Sequence, residues 1–345
     1  MNVYRLLKLG TARSLPAPVK LLGLWGMLRL KRRMLGVFVD PTLSCNLRCR
    51  MCYFSDDDKR RQMRGVMSDD SLDMMEKKLL PYALKLQIGC GAEPTLYKGV
   101  ADIVTRGRRA GVPYISLTTN GQLVGTGRID IERLIELGLN EITLSLHGTE
   151  PEIYENLMAE AKFDIFLETV KKLGVAKSKY PDFVIRVNFT VNSMNIGNLR
   201  DNNFFELWDK AGVRPDIVQL RPVQKIGETS WTDFDLSPLK DDYDATIGNV
   251  IALCRERGIK CIAPTPANID SVDDTQEGVT STIEDITYCY VSPETFYKPD
   301  FEPGTDTVHS YHRRNRTGRR LLKSIFTGNK SRARNISKKL NYTAK

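Results

Sequence analysis

Six short apolar runs, alternating with helical stretches, constrain this 345-residue chain more than any other feature. The runs are Gly36–Leu43, Leu84–Gly89, Tyr114–Thr119, Glu141–Leu146, Phe183–Val191 and Asp216–Pro222, and each reads as a strand. Residues 71–82, 99–110, 131–137, 163–177 and 198–211 read as helices, with Gly111, Gly138, Gly174 and Gly212 near their C-terminal ends. Strands that alternate with crossover helices pair in parallel, so the expectation is an α/β fold of six βα units covering residues 36 to about 225.

The first run opens onto Cys45-Asn46-Leu47-Arg48-Cys49-Arg50-Met51-Cys52-Tyr53-Phe54, a Cys-x3-Cys-x2-Cys loop. Three thiols this close can hold a metal cluster. A four-iron cubane on three thiolates keeps one iron open to an outside ligand, as a catalytic metal keeps a vacant position. A structural zinc knuckle would need a histidine, yet His147, His309 and His312 all lie far from the loop in sequence. Seven cysteines, sparse and odd in number, do not read as a disulfide framework. Polar residues also end the other runs: Glu93 after Gly91-Ala92, then Asn120, Ser145, Asn188 with Asn192, and Arg221. In parallel α/β barrels reactive groups gather at the C-terminal ends of the strands.

The cysteine loop, Gly91-Ala92-Glu93-Pro94, Leu117-Thr118-Thr119-Asn120-Gly121 and Leu144-Ser145-Leu146-His147-Gly148 resemble, in order and spacing, the radical S-adenosylmethionine (SAM) superfamily. Arg186-Val187-Asn188-Phe189-Thr190-Val191-Asn192 and Gln219-Leu220-Arg221-Pro222-Val223 are similar to its SPASM/twitch-like branch, and the core resembles the molybdenum-cofactor-biosynthesis type. The resemblance implies a partial (β/α)6 TIM-like barrel and a [4Fe-4S] cluster on Cys45, Cys49 and Cys52. SAM would bind the open iron and be cleaved reductively to a 5'-deoxyadenosyl radical. It further implies SAM contacts from Gly91, Ala92 and Glu93 at the amino group, from Ser145 at the ribose, and from Asn188. Ala92 stands where the family has a second glycine, a position that would tolerate alanine poorly if it required positive φ. Met51 stands where the family places an aromatic residue against adenine, with Tyr53 close behind; plain loop packing is the alternative for both. Cys90, Cys254, Cys261 and Cys289 remain over. A second cluster on the last three stays open, but each reads as an isolated small hydrophobe, and one cluster is the expectation.

Charge is segregated. Lys and Arg exceed Asp and Glu by nine overall, yet residues 1–39 hold eight cations and no acid, and residues 307–345 hold twelve and no acid. The expected organisation is therefore a basic amphipathic N-terminal arm (1–35), a partial barrel (36–227), a C-terminal cap or extension (228–312) and a basic tail (313–345). In the arm, Leu21, Leu22, Leu24, Trp25 and Leu28 alternate with Arg29, Lys31, Arg32 and Arg33, in a stretch too short to span a bilayer. Such a helix lies in an anionic membrane interface or buries its leucines against the barrel; periodicity alone does not separate the two.

No apolar run reaches the ~20 residues of a membrane span, and no signal-peptide cleavage site is evident, so the expected location is cytoplasmic or peripheral at the inner membrane face. The expected function is a radical SAM enzyme abstracting hydrogen from a membrane-proximal lipid-linked or saccharide metabolite, with a peptide-modifying maturase as the alternative. A non-catalytic cluster-binding or nucleic-acid-binding protein is the reading from another class. No aromatic–basic platform for single strands is present, so no nucleic acid is expected. The expected electron donor is a flavodoxin or ferredoxin.

Overall fold

The computed structural model describes residues 17–327 apart from 202, 225–228, 230, 234, 267, 268 and 270–278. The expected boundary at 227/228, the first half of the arm and the end of the basic tail lie outside the described residues. Among the described residues nine strands form one open sheet in the order β7-β6-β5-β4-β3-β2-β1-β8-β9. They are β1 Leu35–Val39, β2 Ala83–Ile88, β3 Ile115–Thr119, β4 Glu141–Leu146, β5 Val184–Val191, β6 Ile217–Pro222, β7 Lys260–Ile262, β8 Tyr288–Ser292 and β9 Thr295–Tyr297. All neighbours pair in parallel except β9, which runs antiparallel to β8. The principal helices are α1 Ala17–Arg29, α2 Asp69–Lys78, α3 Val100–Arg109, α4 Ile131–Leu137, α5 Phe163–Lys179, α6 Asn203–Lys210, α7 Asn249–Glu256, α8 Val279–Thr287, α9 Val308–Arg314 and α10 Thr317–Thr327.

The side-chain period of two places chemistry on one face of the sheet. In β5, Ile185, Val187, Phe189 and Val191 are fully buried, while Arg186, Asn188 and Thr190 line a central cavity. Ile142, Leu144 and Leu146 of β4 are likewise in the core, against Glu141, Thr143 and Ser145 on the cavity. The crossover helices bury one stripe each against the outer face: Val100, Ile103, Val104 and Gly107 of α3 follow the i, i+3, i+4, i+7 spacing. A barrel of this type is ordinarily filled by branched apolar side chains; here the inner face is polar and surrounds space.

The first strand stops at Val39, short of its expected end at Leu43. After it the chain leaves the sheet to pair with residues 65–67, through Leu43 N to Gly65 O and Met67 N to Pro41 O. The expected single helix over 198–211 is two, Ile196–Arg200 and α6, and the C-terminal extension adds Ser237–Asp241, a wider π-type turn at Asp244–Gly248 and α7. Residues expected in the C-terminal extension supply strands to both edges: β7 joins β6, and β8 joins β1 with Gly36 opposite Tyr288.

The leucines of α1 divide between two environments. Leu21, Leu24 and Leu28 are buried where α1 packs against α8 and α10. Leu22, Val19 and Leu30 are exposed by 53%, 49% and 71%. Arg33, expected among the lipid-facing cations, is committed to protein: its guanidinium donates to the carbonyls of Leu80, Ala83 and Ala110 at 2.9, 3.2 and 2.7 Å. Among the described residues no helix is long and apolar enough to cross a membrane.

Candidate active site

The cysteine loop is fixed to the neighbouring strand ends at three points. Glu93 N donates to Ser44 O at 3.0 Å, Asn120 Nδ2 donates to Asn46 Oδ1 at 2.9 Å, and Tyr53 Oη donates to Gly91 O. Within the loop, Cys52 N closes a turn on Cys49 O at 2.9 Å, and Arg48 Nη1 holds the carbonyls of Cys45 and Leu47. Cys45, Cys49 and Cys52 all face one cavity of about 700 Å3. Burial raises all three thiols above their ordinary range. Cys52 is pushed up to about 11, and the charge of the neighbouring thiols adds to burial at Cys49.

Gly91, Ala92, Glu93, Ser145 and Asn188 line the same cavity. Gly91 is required by close approach, because a Cβ there would sit 2.7 Å from Tyr53 Oη. Ala92 is not among the described residues with positive φ, so its side chain carries no backbone strain. Glu93 is 3% exposed. Its Oε1 accepts from Thr95 N, Thr95 Oγ1 and Thr119 Oγ1, and its Oε2 from Asn120 N at 2.9 Å. Burial raises its pKa against those hydrogen bonds. Each carboxylate oxygen offers about two acceptor sites, so Oε2, with the one donor Asn120 N, retains a lone pair. Ser145 and Asn188 are register partners on β4 and β5, which sets them side by side. Asn188 Oδ1 is buried without a hydrogen-bond partner, and such an acceptor is explained most simply by a ligand donor.

His147 also reaches the cavity; burial lowers its pKa to about 4, so the ring is neutral, and its Nδ1 accepts from Thr190 N at 3.3 Å. Met51 and Tyr53 are both buried on the cavity wall. At the N-terminal ends of the strands Glu141 meets Arg186 bidentately, Nε–Oε1 3.0 Å and Nη2–Oε2 2.9 Å, and accepts from Tyr114 Oη at 2.7 Å. Burial alone would raise the pKa of Glu141, but the charges of Lys85 and Arg186 outweigh it and hold it below the ordinary value. Of the remaining cysteines, Cys90 lines the cavity, Cys254 and Cys261 hydrogen-bond each other at β7, and Cys289 is buried in β8.

These residues fit an iron–sulfur cluster and SAM. Among the described residues no three His, Cys, Asp or Glu side chains converge as ligands of a single ion would, whereas a cubane takes one thiolate per iron. Glu93 and Asn188, whose Oδ1 is buried without a partner, line the same space. Sequence reasoning missed the interior set Lys85, Gln87, Gln219 and Glu284, partly announced by the period-two placement of polar residues in β2 and β6, and the pair Asp40 and Tyr290 beneath the Glu93 loop.

The family model of the Radical SAM superfamily matches residues 39–195. The chain is 26% identical over 220 residues to the probable GTP 3',8-cyclase of Methanocaldococcus jannaschii, covering 64% of this chain and 70% of that protein. It is 24% identical to the probable GTP 3',8-cyclase of Sulfurisphaera tokodaii, covering 56% of this chain and 59% of the relative. Among solved structures, Streptococcus suis SuiB superimposes with a TM-score of 0.56 at 12% identity, over 80% of this chain and 62% of SuiB; the form of SuiB bound to S-adenosylmethionine gives 0.55 at 13%, over 78% and 61%. The chain thus spans about three fifths of the length of the S. tokodaii relative and of SuiB. The likeness to SuiB shows the fold, a partial TIM-like barrel whose sheet does not close. Residues 39–195 match the Radical SAM superfamily, and the homology to probable GTP 3',8-cyclases indicates an enzyme.

Proposed function

We propose that Cys45, Cys49 and Cys52 hold the [4Fe-4S] cluster which, with SAM, serves radical SAM enzymes as cofactor, and that Gly91, Ala92, Glu93, Ser145 and Asn188 hold SAM. The carrying observation is that these eight residues line one cavity. When bound, cluster and SAM supply a 5'-deoxyadenosyl radical that abstracts hydrogen from the substrate. The chain's own part is placement. Glu93 Oε2 offers an acceptor to the SAM ammonium, Asn188 Oδ1 accepts a hydroxyl, Ser145 lies beside it, and buried Met51 and Tyr53 keep water from the thiols.

Beyond those residues the cavity is lined by Gln87, Thr118, Thr143, Gln219 and Arg221. A polar wall with an arginine suits a hydroxyl-rich, anionic metabolite, and relatives named as probable GTP 3',8-cyclases support a substrate containing sugar and phosphate. A saccharide metabolite, free or lipid-linked, is of that kind. Radical SAM enzymes need a reductant, and a flavodoxin or ferredoxin fills that role here. The anaerobically reconstituted chain is expected to form 5'-deoxyadenosine on reduction, and the Cys45→Ala/Cys49→Ala/Cys52→Ala variant to form none. Cleavage of SAM by that variant would remove the assignment.

The two-sided helix α1 supports peripheral contact with an anionic membrane, consistent with an enzyme at the inner membrane face. Its outer side presents Val19, Leu22 and, just past its end, Leu30, with Gly23 and Gly26 open to solvent and Arg29, Lys31 and Arg32 exposed. A helix apolar on both sides has one side to bury elsewhere. Changing Leu22 and Leu30 to Ser is expected to reduce co-sedimentation with phosphatidylserine vesicles and to leave the melting temperature unchanged. Equal co-sedimentation of variant and wild type would exclude this face.

A further inference from the structure

A fully buried carboxylate, outside every motif that carries the cofactor reading, organises the loop after β2. Asp40 is 1% exposed and sits immediately after β1. Its Oδ1 accepts from Cys90 N at 2.7 Å, and its Oδ2 from Gly91 N at 3.0 Å and from Tyr290 Oη at 2.8 Å. The Ala92 amide faces it as well. Successive backbone amides form a nest for an anion, and in this loop the anion is the protein's own. Planar trans peptides that turn their N–H groups to Asp40 turn the opposite carbonyls away from it. The carbonyl of Gly91 goes to Tyr53 Oη, so the orientation of the loop is set from both sides, by Asp40 on its N–H face and by the cysteine loop on its C=O face. Tyr290 lies in β8, opposite Phe38 of β1, and outside the residues matched by the family. Asp40 N in turn donates to Val291 O at 3.0 Å.

We propose that Asp40 and Tyr290 are positioning residues for SAM: the β8 hydroxyl locks the Asp40 carboxylate, and that carboxylate fixes residues 90–93 in the orientation that receives the ammonium end of the ligand. The inference rests on the reading of Gly91, Ala92 and Glu93 as SAM contacts. It makes a strand from the C-terminal part of the chain a component of the cofactor site without touching the cofactor.

The test uses the full chain, reconstituted anaerobically, with SAM affinity read by calorimetry and the reduced cluster read by electron paramagnetic resonance with and without SAM. Asp40→Asn turns an amide NH2 toward the backbone N–H groups and is expected to weaken SAM binding about tenfold; Tyr290→Phe removes one donor and is expected to weaken it about threefold. Iron should stay at about four per chain, the SAM-free spectrum should be unchanged, and the spectral change induced by subsaturating SAM should shrink. Loss of SAM affinity at unchanged melting temperature is a result that a merely structural role would not give. If Asp40→Asn does not fold, Tyr290→Phe decides. Wild-type affinity in a folded variant overturns the proposal. Glu93→Gln separates the two levels: if it too binds SAM normally, the loop is not the SAM contact; if it alone binds weakly, the loop reading stands and the positioning role falls.

Discussion

At the N-terminal ends of β2, β4 and β5 the buried charges of the cavity neutralise one another, whereas just beyond β1 and β2 and in the second half of β5 the polar groups are held by backbone or left without a partner. Glu141 has Arg186, Tyr114 and the Lys85 charge around it. Glu93 is gripped by amides and hydroxyls with a lone pair to spare, and Asn188 Oδ1 has no partner. A closed ion pair gives rigidity and no reactivity. An unfilled acceptor in a buried wall is tolerated at a cost of about 1–3 kcal/mol unless a ligand supplies the donor. The floor is therefore built for stability and the mouth for binding.

The largest effect that would sharpen this contrast is at the floor. Glu141→Gln leaves Arg186 without its buried counter-charge and is expected to cost about 3 kcal/mol of folding stability, with SAM affinity unchanged. The pKa of Glu141 is depressed below its ordinary 4.5, so its contribution is complete above that value and is lost as pH falls through the lower folded value. The stability gap between wild type and Glu141→Gln in urea titrations should therefore narrow in acid; a constant gap would show that charge is not what Glu141 contributes.

Next in size is Glu93→Gln at the mouth. The new NH2 opposes Asn120 N and removes one hydrogen bond, about 1 kcal/mol of stability, while SAM affinity falls about tenfold, or about 1.4 kcal/mol. A loss of stability as large as that at Glu141, with SAM binding intact, would break the comparison. Smallest is Asn188→Leu, which removes an unpartnered acceptor. Its melting temperature should hold or rise by an amount worth less than about 1 kcal/mol, and SAM affinity should fall about threefold; a destabilised protein would show that Asn188 belongs with the floor.

Much of the sheet was legible because apolar runs and their flanking helices report burial directly. β4 occupies the expected Glu141–Leu146, and β6 differs from expectation by its first residue. The end of β1 was not, since the run to Leu43 stays buried through Asp40, Pro41 and Thr42, and it is the tertiary pairing with residues 65–67 that draws the chain off the sheet. β8 was hidden for a related reason. Tyr288-Cys289-Tyr290-Val291 is a short apolar run after residues without a clear helix signal, and nothing local says that it pairs beside β1. The cysteine loop and the Glu93 loop were legible as motifs, and the structure brings them to one cavity. Asp40 was not, because the run Gly36–Leu43 reads through it as strand; its meaning comes from Tyr290, a contact between residues 250 positions apart. The split of the α1 leucines between protein and solvent was beyond periodicity, which describes a helix without saying what stands on either side of it.

The pairing of β8 with β1 also bears on the order in which the molecule is completed. β1 leads into the cysteine loop, and one of its two neighbours comes from far along the chain. During synthesis the loop emerges well before the strand that encloses it, and until β8 arrives β1 is an edge with open N–H and C=O groups. Contacts of such sequence separation form slowly. A chain cut before Tyr288 keeps all three loop cysteines and Glu93, yet its cofactor strand stays exposed on one side, open to pairing with another chain.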